Sequence, residues 1–291
     1  MKTLVTGGAG FLGSHIVDNL IDQGHEVIVI DNLSSGSIAN INPKAEFHKV
    51  DLKDSEEIIA NNEIDLVIHC AAQTDVRVSL ADPLKDMKEN IENSLILLEN
   101  MRKFDVNKII FLSTGGALYN MEAYSQPYAE TDPVNPQSPY GIAKYTIENY
   151  LNFYKNYHNF STCILRLANV YGARNEKGVI YNFKQAIKEG KPITIFGGSQ
   201  TRDFIHVSDV VSAIDYATDQ VLKGRMYVDV FNVGTGVKTS LDTLASLLNG
   251  TDIIRGNRLP GEIIDTSLNS SRLRHLGWEP RMELKEGLAI S

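Results

Sequence analysis

A doubly wound parallel α/β sheet with a smaller, interleaved second lobe is the architecture expected of this chain of 291 residues. Short apolar runs alternate with segments of helical period through the first 170 positions, a cluster of glycines follows the first run, and a single acid closes the second. The expected strands are Lys2–Thr6, Glu26–Ile30, Glu46–Val50, Leu66–Cys70, Lys108–Ser113 and Thr162–Leu167, each a run dominated by apolar and β-branched residues. The first expected helix, Phe11–Gln23, carries Leu12, Ile16, Val17 and Leu20 on one face. Ser55–Asn61 is a short second helix, and Leu84–Lys103 starts directly after Pro83. Tyr140–Tyr157 follows Ser138, which can cap it, and Pro139, which suits its first position. Strands joined through helices cannot pair as hairpins, so the sheet must be parallel.

After Arg166 the alternation becomes irregular. Loops rich in Gly, Asn and Pro are expected at Gly172–Gly178, Gly197–Arg202 and Gly256–Gly261, and helices at Tyr181–Glu189, Ser208–Val221 and Leu241–Leu248. Tyr227–Val233 reads as one more strand, returning to the first sheet. The expected division is therefore residues 1-168 with 203-235 in the sheet domain, and 169-291 mainly in the second lobe. No stretch resembles a linker, so two interleaved lobes are expected rather than two beads.

Lys and Arg number 28 against 36 Asp and Glu, a net charge of −8. A surface of that sign repels nucleic-acid backbones and anionic lipid, so neither is expected as a bulk partner. A small anionic ligand needs only a few local positive groups and stays possible. Cys70 and Cys163, the two cysteines, are too few for a disulfide framework and sit in apolar runs. No apolar run approaches membrane-spanning length, and no cleavage-site pattern follows Met1-Lys2. A cytoplasmic protein without a metal site is expected.

The run Thr6-Gly-Gly-Ala-Gly-Phe-Leu-Gly13 follows a strand and opens a helix. It satisfies G-x-G-x-x-G at Gly8, Gly10 and Gly13, and G-x-x-G-x-x-G at Gly7, Gly10 and Gly13. Such a turn lets the backbone approach a pyrophosphate at a helix N-terminus, where Phe11 and Leu12 also lie. Asp31 follows the second strand, eighteen residues after Gly13, where an acid accepts ribose hydroxyls and repels a 2′-phosphate. Asn32 comes next with no arginine nearby. A Rossmann-like site for NAD rather than NADP is the expectation. Asp51-Leu52 closes the third strand, where the acid either reaches an adenine edge or caps a helix.

Tyr140 and Lys144 stand four apart at the start of a helix, hence on one face. An ammonium beside the phenol would lower the tyrosine pKa towards that of a general base. Ser113-Thr114 ends the fifth strand, where this kind of sheet places ligands, and a hydroxyl there can orient the group that Tyr140 deprotonates. The alternative for Tyr140 and Lys144 is an ordinary exposed pair.

Glycine spacing, Asp31, a strand-end hydroxyl and the Tyr/Lys pair together resemble the short-chain dehydrogenase/reductase superfamily, in its extended branch acting on nucleotide sugars. The resemblance runs from residue 1 to about Trp278. Arg166-Leu-Ala-Asn-Val-Tyr-Gly172 is similar to the element whose Asn, here Asn169, contacts the diphosphate; Thr201–Asp209 is similar to the signature whose Arg, here Arg202, pairs with phosphate. Arg258-Leu-Pro-Gly-Glu262 resembles a second phosphate element, with Arg258 and Glu262 in the substrate site and Val179 beside them. His69-Cys-Ala-Ala72 and Asn90 fall where the family lines the nicotinamide, so Ala71, Ala72 and Asn90 join the cofactor residues.

Dehydratases and decarboxylases of this branch carry an acid between the strand-end hydroxyl and the position of Tyr119; Ser113-Thr-Gly-Gly-Ala-Leu-Tyr119 has none. The glycine pair resembles bacterial and archaeal UDP-glucose 4-epimerases. That resemblance implies an isomerase of UDP-hexoses: Tyr140 takes the C4 proton, Thr114 with Ser113 orients the hydroxyl, and Lys144 binds the nicotinamide ribose. The 4-keto sugar then turns about its diphosphate and hydride returns to the other face. It also implies a homodimer, through helices near Asn90–Lys103 and Tyr140–Tyr157. Asn120 stands where the family usually has Gly, Ala173 where Pro is common, and Thr266 where some epimerases place a tyrosine limiting the C2 substituent. A small residue there leaves room for N-acetyl sugars. Other readings are another nucleotide-sugar oxidoreductase or dehydratase, and a non-catalytic NAD-binding regulator.

Overall fold

The computed structural model describes residues 1–119, 126–197, 200–224, 229–250, 252–257 and 265–291, with only the backbone of Asp229. Seven parallel strands form the main sheet in the order β11-β6-β5-β4-β1-β2-β3. They are β1 (Lys2–Thr6), β2 (Glu26–Ile30), β3 (Glu46–His48), β4 (Leu66–His69), β5 (Lys108–Thr114), β6 (Ser161–Leu167) and β11 (Asp229–Val233). The order reverses between β1 and β4, and a ligand crevice opens beyond the carboxyl ends of strands at such a switch point.

Strand alternation sorts the apolar side chains onto two faces. On one, Val5, Val29, Ile68, Ile110 and Leu165 pack under α1 (Phe11–Asp22) and α8 (Val207–Leu222). On the other, Leu4, Ile28, Val67, Ile109 and Ile164 pack under α2 (Glu56–Ala60), α5 (Asn93–Lys103) and α6 (Pro139–His158). Ser138 caps α6, accepting a hydrogen bond from Gly141 N at 3.2 Å, and Pro139 opens it.

The helix expected at Leu84–Lys103 begins one residue earlier and is not uniform. α3 (Val76–Ala81) precedes α4 (Pro83–Met87), which passes through a π turn at Lys88–Glu92 into α5. The extra residue of the π turn carries Asn90, and helical periodicity cannot reveal it. The second lobe has its own core of Tyr171, Ile180, Phe183, Ile195, Phe204 and Leu244. It is built from β7 (Asn169–Tyr171), α7 (Gly178–Lys188), β8 (Ile193–Phe196), β9 (Thr201–Arg202), β10 (Phe204–His206), β12 (Thr239–Ser240), α9 (Leu241–Leu247) and β13 (Ile253–Gly256). α10 (Ser271–His275) and α11 (Leu284–Ile290) follow. These short strands were not expected, because two to four residues are too few to show a period of two. Between the lobes the chain returns to the main sheet: β11 pairs with β6, and α8 lies beside α1. Among the described residues no helix is long and apolar enough to cross a membrane.

One polar ladder crosses this apolar sheet. Ser113, Arg166 and Asn232 are register partners on β5, β6 and β11. Arg166 donates to Glu148 of α6 through Nε at 3.1 Å and Nη2 at 2.6 Å, and to the Tyr119 hydroxyl through Nη1 at 2.6 Å. Ser113 donates to Glu148 at 2.5 Å, and Tyr119 to Asn232 at 3.1 Å. Removing one partner strands the other as a buried, unpaired charge. Arg166→Met is accordingly expected to destabilise the fold by about 3–5 kcal/mol, and a combined Arg166→Met, Glu148→Leu chain by much less. Urea denaturation of the three chains measures both values.

Candidate active site

The crevice starts from Gly7, where the chain turns at φ +70 with its N–H bonded to Ile30 O at 2.8 Å. A Cβ on Gly7 would lie 2.7 Å from Ala71 N, so only glycine lets the loop after β1 touch the loop after β4. A Cβ on Gly13 would lie 2.1 Å from Gly7 O, which holds the start of α1 against the turn. Gly10 is the N-cap of α1 without a side-chain cap, and the first turn contains no acid. The first N–H groups, at Phe11, Leu12 and Gly13, are thus left for an anion at the positive end of the helix.

Asp31, following β2, is nearly buried. Its Oδ2 accepts from Ala9 N at 3.0 Å and its Oδ1 from Leu33 N at 2.8 Å, which leaves lone pairs on both oxygens for ribose hydroxyls. Asn32 donates to Asp51 at 3.1 Å, and Asp51 also accepts from Asn93 at 3.2 Å and caps the short turn Leu52–Asp54. The capping alternative for Asp51 is the one these bonds show. Leu52 turns its side chain into the core of the α2/α5 face, so only its backbone can face a cofactor. The glycine cradle, the uncapped helix and Asp31 together fit a dinucleotide.

Behind the crevice runs a hydrogen-bond chain. Ala71 N donates to Thr6 Oγ1 at 3.2 Å, Thr6 Oγ1 meets His69 Nδ1 at 2.7 Å, His69 Nε2 meets Ser94 Oγ at 3.0 Å, and Ser94 donates to Asn90 O at 2.7 Å. Because the Ser94 proton is spent on Asn90 O, His69 Nε2 donates; with the ring neutral through burial, Nδ1 accepts from the Thr6 hydroxyl. Burial, helped by Lys144, pushes the His69 pKa down to about 3. The Asn90 amide clamps Gln73, accepting from its N–H at 2.8 Å and donating to its carbonyl at 2.9 Å, and donates to Asp86 at 3.0 Å. Ala72 lies between Ala71 and this clamp. Gln73 and Asp86 were not anticipated; the one available signal is that Asp86 lies four residues before Asn90.

Tyr140, half-buried at the start of α6, faces the Thr114 side chain at the end of β5, which favours its ionised form. Thr114 Oγ1 also accepts from Ala117 N at 3.2 Å. Two expectations need correction. Ser113 points to the opposite face from Thr114, as successive strand residues must, and is bound to Glu148 away from the phenol. Lys144 makes no hydrogen bond to the phenol: its Nζ donates to Leu112 O at 2.9 Å and lies 4.7 Å from the Phe111 ring centroid. The Tyr140 pKa is accordingly pushed up to about 12, by burial above all, with Thr114 pulling down and Asp86 pushing up. Burial lowers Lys144 to about 8, against the pull of Cys70, Asp86 and Glu148.

On the other side of the crevice, Asn169 of β7 holds a buried Oδ1 without a hydrogen-bond partner. That oxygen and Thr114 Oγ1 flank Gly116, whose Cβ would lie 3.8 and 4.0 Å from them. The Leu268 side chain occupies the space a Cβ on Gly115 would need, at 2.5 Å. Arg202 is half-buried on β9 and donates to Thr201 O at 2.8 Å. Val179 packs against the second-lobe core. Thr266 is buried, its N–H donating to Thr201 O at 3.3 Å. Arg258 and Glu262 lie outside the described residues. Among the described residues no cluster of ligating side chains could hold a metal.

Residues 3–234 match the model of the NAD dependent epimerase/dehydratase family. The UDP-glucose 4-epimerase of Mycolicibacterium smegmatis is 38% identical over 308 residues, covering 99% of this chain and 96% of the relative. The crystal structure of UDP-glucose 4-epimerase with UDP-glucose from Thermotoga maritima superposes with a TM-score of 0.95 at 40% identity, covering 100% of this chain and 97% of that one. A UDP-N-acetylglucosamine 4-epimerase from Methanobrevibacter ruminantium superposes at 0.89 with 32% identity, covering 99% and 97%.

The neutral, buried His69 makes the fold acid-sensitive. Its folded pKa, about 3, lies below the ordinary 6.5, so its contribution is whole above pH 6.5 and is lost as pH falls towards 3. In urea titrations His69→Gln is expected to be less stable than wild type at pH 7. Below pH 6.5 the gap should narrow by up to about 1.4 kcal/mol per pH unit.

Proposed function

We propose, on the premise that this chain belongs to the NAD dependent epimerase/dehydratase family, that it inverts C4 of a UDP-hexose, interconverting UDP-glucose and UDP-galactose, with Tyr140 as the base. The carrying observation is the placement of Tyr140 facing Thr114 at the carboxyl end of β5, beside a crevice that fits a dinucleotide. Bound NAD supplies the hydride acceptor and returns the same hydride.

The protein's own residues handle everything else. Tyr140 takes the C4 hydroxyl proton as the C4 hydride leaves, and gives it back in the second half. Thr114, facing the phenol, aligns that hydroxyl with its own. Lys144, released from Leu112 O, reaches the nicotinamide ribose and adds positive charge beside the phenolate. Asn169 and Arg202, joined by Arg258, bind the diphosphate, so the nucleotide stays fixed while the keto sugar turns. No carboxylate stands at Gly115 or Gly116 to protonate a leaving hydroxyl, which favours epimerisation over dehydration. We assign the cofactor to residues 1-168 with 203-235, and the nucleotide sugar mainly to 169-291. Thr266 leaves space at C2, and the likeness to a UDP-N-acetylglucosamine 4-epimerase supports acceptance of N-acetyl sugars as well.

We also infer a homodimer. Ile142, Tyr145, Tyr150, Phe153 and Tyr157 form an exposed apolar stripe along α6, continued by Leu84 and Met87 on α4. A second copy of the same stripe would bury it in a helical bundle.

Purified protein should interconvert UDP-glucose and UDP-galactose without net NADH, and Tyr140→Phe should lose about 10²–10⁴-fold in turnover while retaining NAD. Steady release of NADH would exclude an epimerase, and inert UDP-N-acetylglucosamine under the same conditions would exclude the broader sugar range. Sedimentation should show a dimer for the wild type and a folded monomer for Phe153→Glu.

A further inference from the structure

Two opposite charges are buried beside Tyr140, and neither touches a counter-ion. Asp86 is 1% exposed on α4, and α4 packs against α6. Its Oδ1 accepts from two neutral amides, Gln73 Nε2 at 2.9 Å and Asn90 Nδ2 at 3.0 Å. Its Oδ2 is buried without any hydrogen-bond partner. Lys144, 4% exposed, donates to a carbonyl rather than to a carboxylate. The other carboxylate near Lys144, Glu148, is engaged by Arg166 and Ser113. Isolated buried charges are costly, and a carboxylate kept without a partner at a reactive crevice points to work done there rather than to stability.

We propose that Asp86 is an electrostatic positioning residue, whose uncompensated carboxylate holds Lys144 as the cation and makes the Tyr140 phenolate a stronger base. The inference rests on the reading of Tyr140 as the base. The groups around Asp86 agree with it. From α6 come Tyr140, Lys144 and, further along, the neutralised Glu148. From the end of β4 come neutral His69 and the Cys70 thiol, which burial pushes up to about 12. On its own helix Lys85 pairs with Glu89 at 3.8 Å, and on the preceding segment Asp75 and Asp82 cap helices at the surface. Arg77 of α3 and Lys88 of the π turn are exposed to solvent, so Lys144 is the buried cation the Asp86 charge acts on. A negative charge there disfavours the phenolate and favours the ammonium, which matches the upward push of Asp86 on both groups. During turnover Tyr140 must hold the sugar's proton while the keto sugar turns, and a more basic phenolate holds it more firmly.

Asp86→Asn keeps an oxygen for Gln73 and Asn90 and removes the charge; Asp86→Ser removes the same charge should the amide not fold. Two readouts decide the question. In the ligand-free chain, the Tyr140 Cζ resonance of ¹³C-tyrosine protein, assigned with Tyr140→Phe, should titrate about half a pH unit lower than in wild type, a threefold change in ionisation constant. In the epimerase assay, both limbs of the kcat/KM profile should move towards acid by a similar amount. Asp86→Glu, which restores the charge, should move both readouts back towards wild type. A profile reduced in height but unmoved, with an unmoved resonance, would show Asp86 to be structural only and overturn the proposal. Full turnover by Tyr140→Phe would instead overturn the reading of Tyr140, whatever Asp86→Asn does.

Discussion

The bond between Arg166 and Glu148 ties α6 to the centre of the sheet, and the site inherits its geometry from that tie. Arg166 stands on β6 between Ser113 of β5 and Asn232 of β11, so the guanidinium joins three strands and one helix. Tyr140 lies about two helical turns before Glu148 on the same helix. Once Glu148 is held, the start of α6 can only meet the end of β5, which is where Thr114 is found. The pair contributes little net stability, because desolvation offsets most of its attraction; its value is in fixing one helix position among several that apolar packing would tolerate.

Charge follows the same division between surface and site. The chain is acidic overall, yet the start of α1 presents uncapped helix N–H groups. Inside, burial works against ionisation: it raises the Tyr140 phenol and lowers Lys144 and His69. The carboxylates of Asp31 and Glu148 answer to hydrogen bonds or a cation, and only Asp86 keeps an oxygen with no partner.

Much of the cofactor side was readable in the residues. Gly7, Gly10 and Gly13 announce a close backbone approach because no other side chain fits, and Asp31 sits at a spacing that β2 imposes. The strand-end hydroxyl and the Tyr/Lys pair were legible as types but not as partners. Strand alternation sends Ser113 and Thr114 to opposite faces: Ser113 points to the face that α6 covers, where Glu148 takes it, and Thr114 lies at the end of the strand. The four-residue spacing of Tyr140 and Lys144 says that they share a helix face, not that the flexible lysine stem bonds Leu112 O of β5 rather than the phenol. Gln73 left almost no trace, since it meets Asn90 across a loop and a helix, and Asp86 left only its four-residue spacing from Asn90.

Local chemistry thus determined the parallel sheet, the phosphate-binding turn, the preference for an unphosphorylated ribose and the candidate base, because each depends on residues close together in the chain. Tertiary structure alone decided the rest. It chose Thr114 over Ser113, turned Lys144 onto Leu112, assembled the second lobe from strands of two to four residues, and left Asp86 unpaired beside Tyr140. Those outcomes depend on contacts between segments far apart in sequence, and in them the competition between burial and charge is settled by where neighbouring elements come to rest.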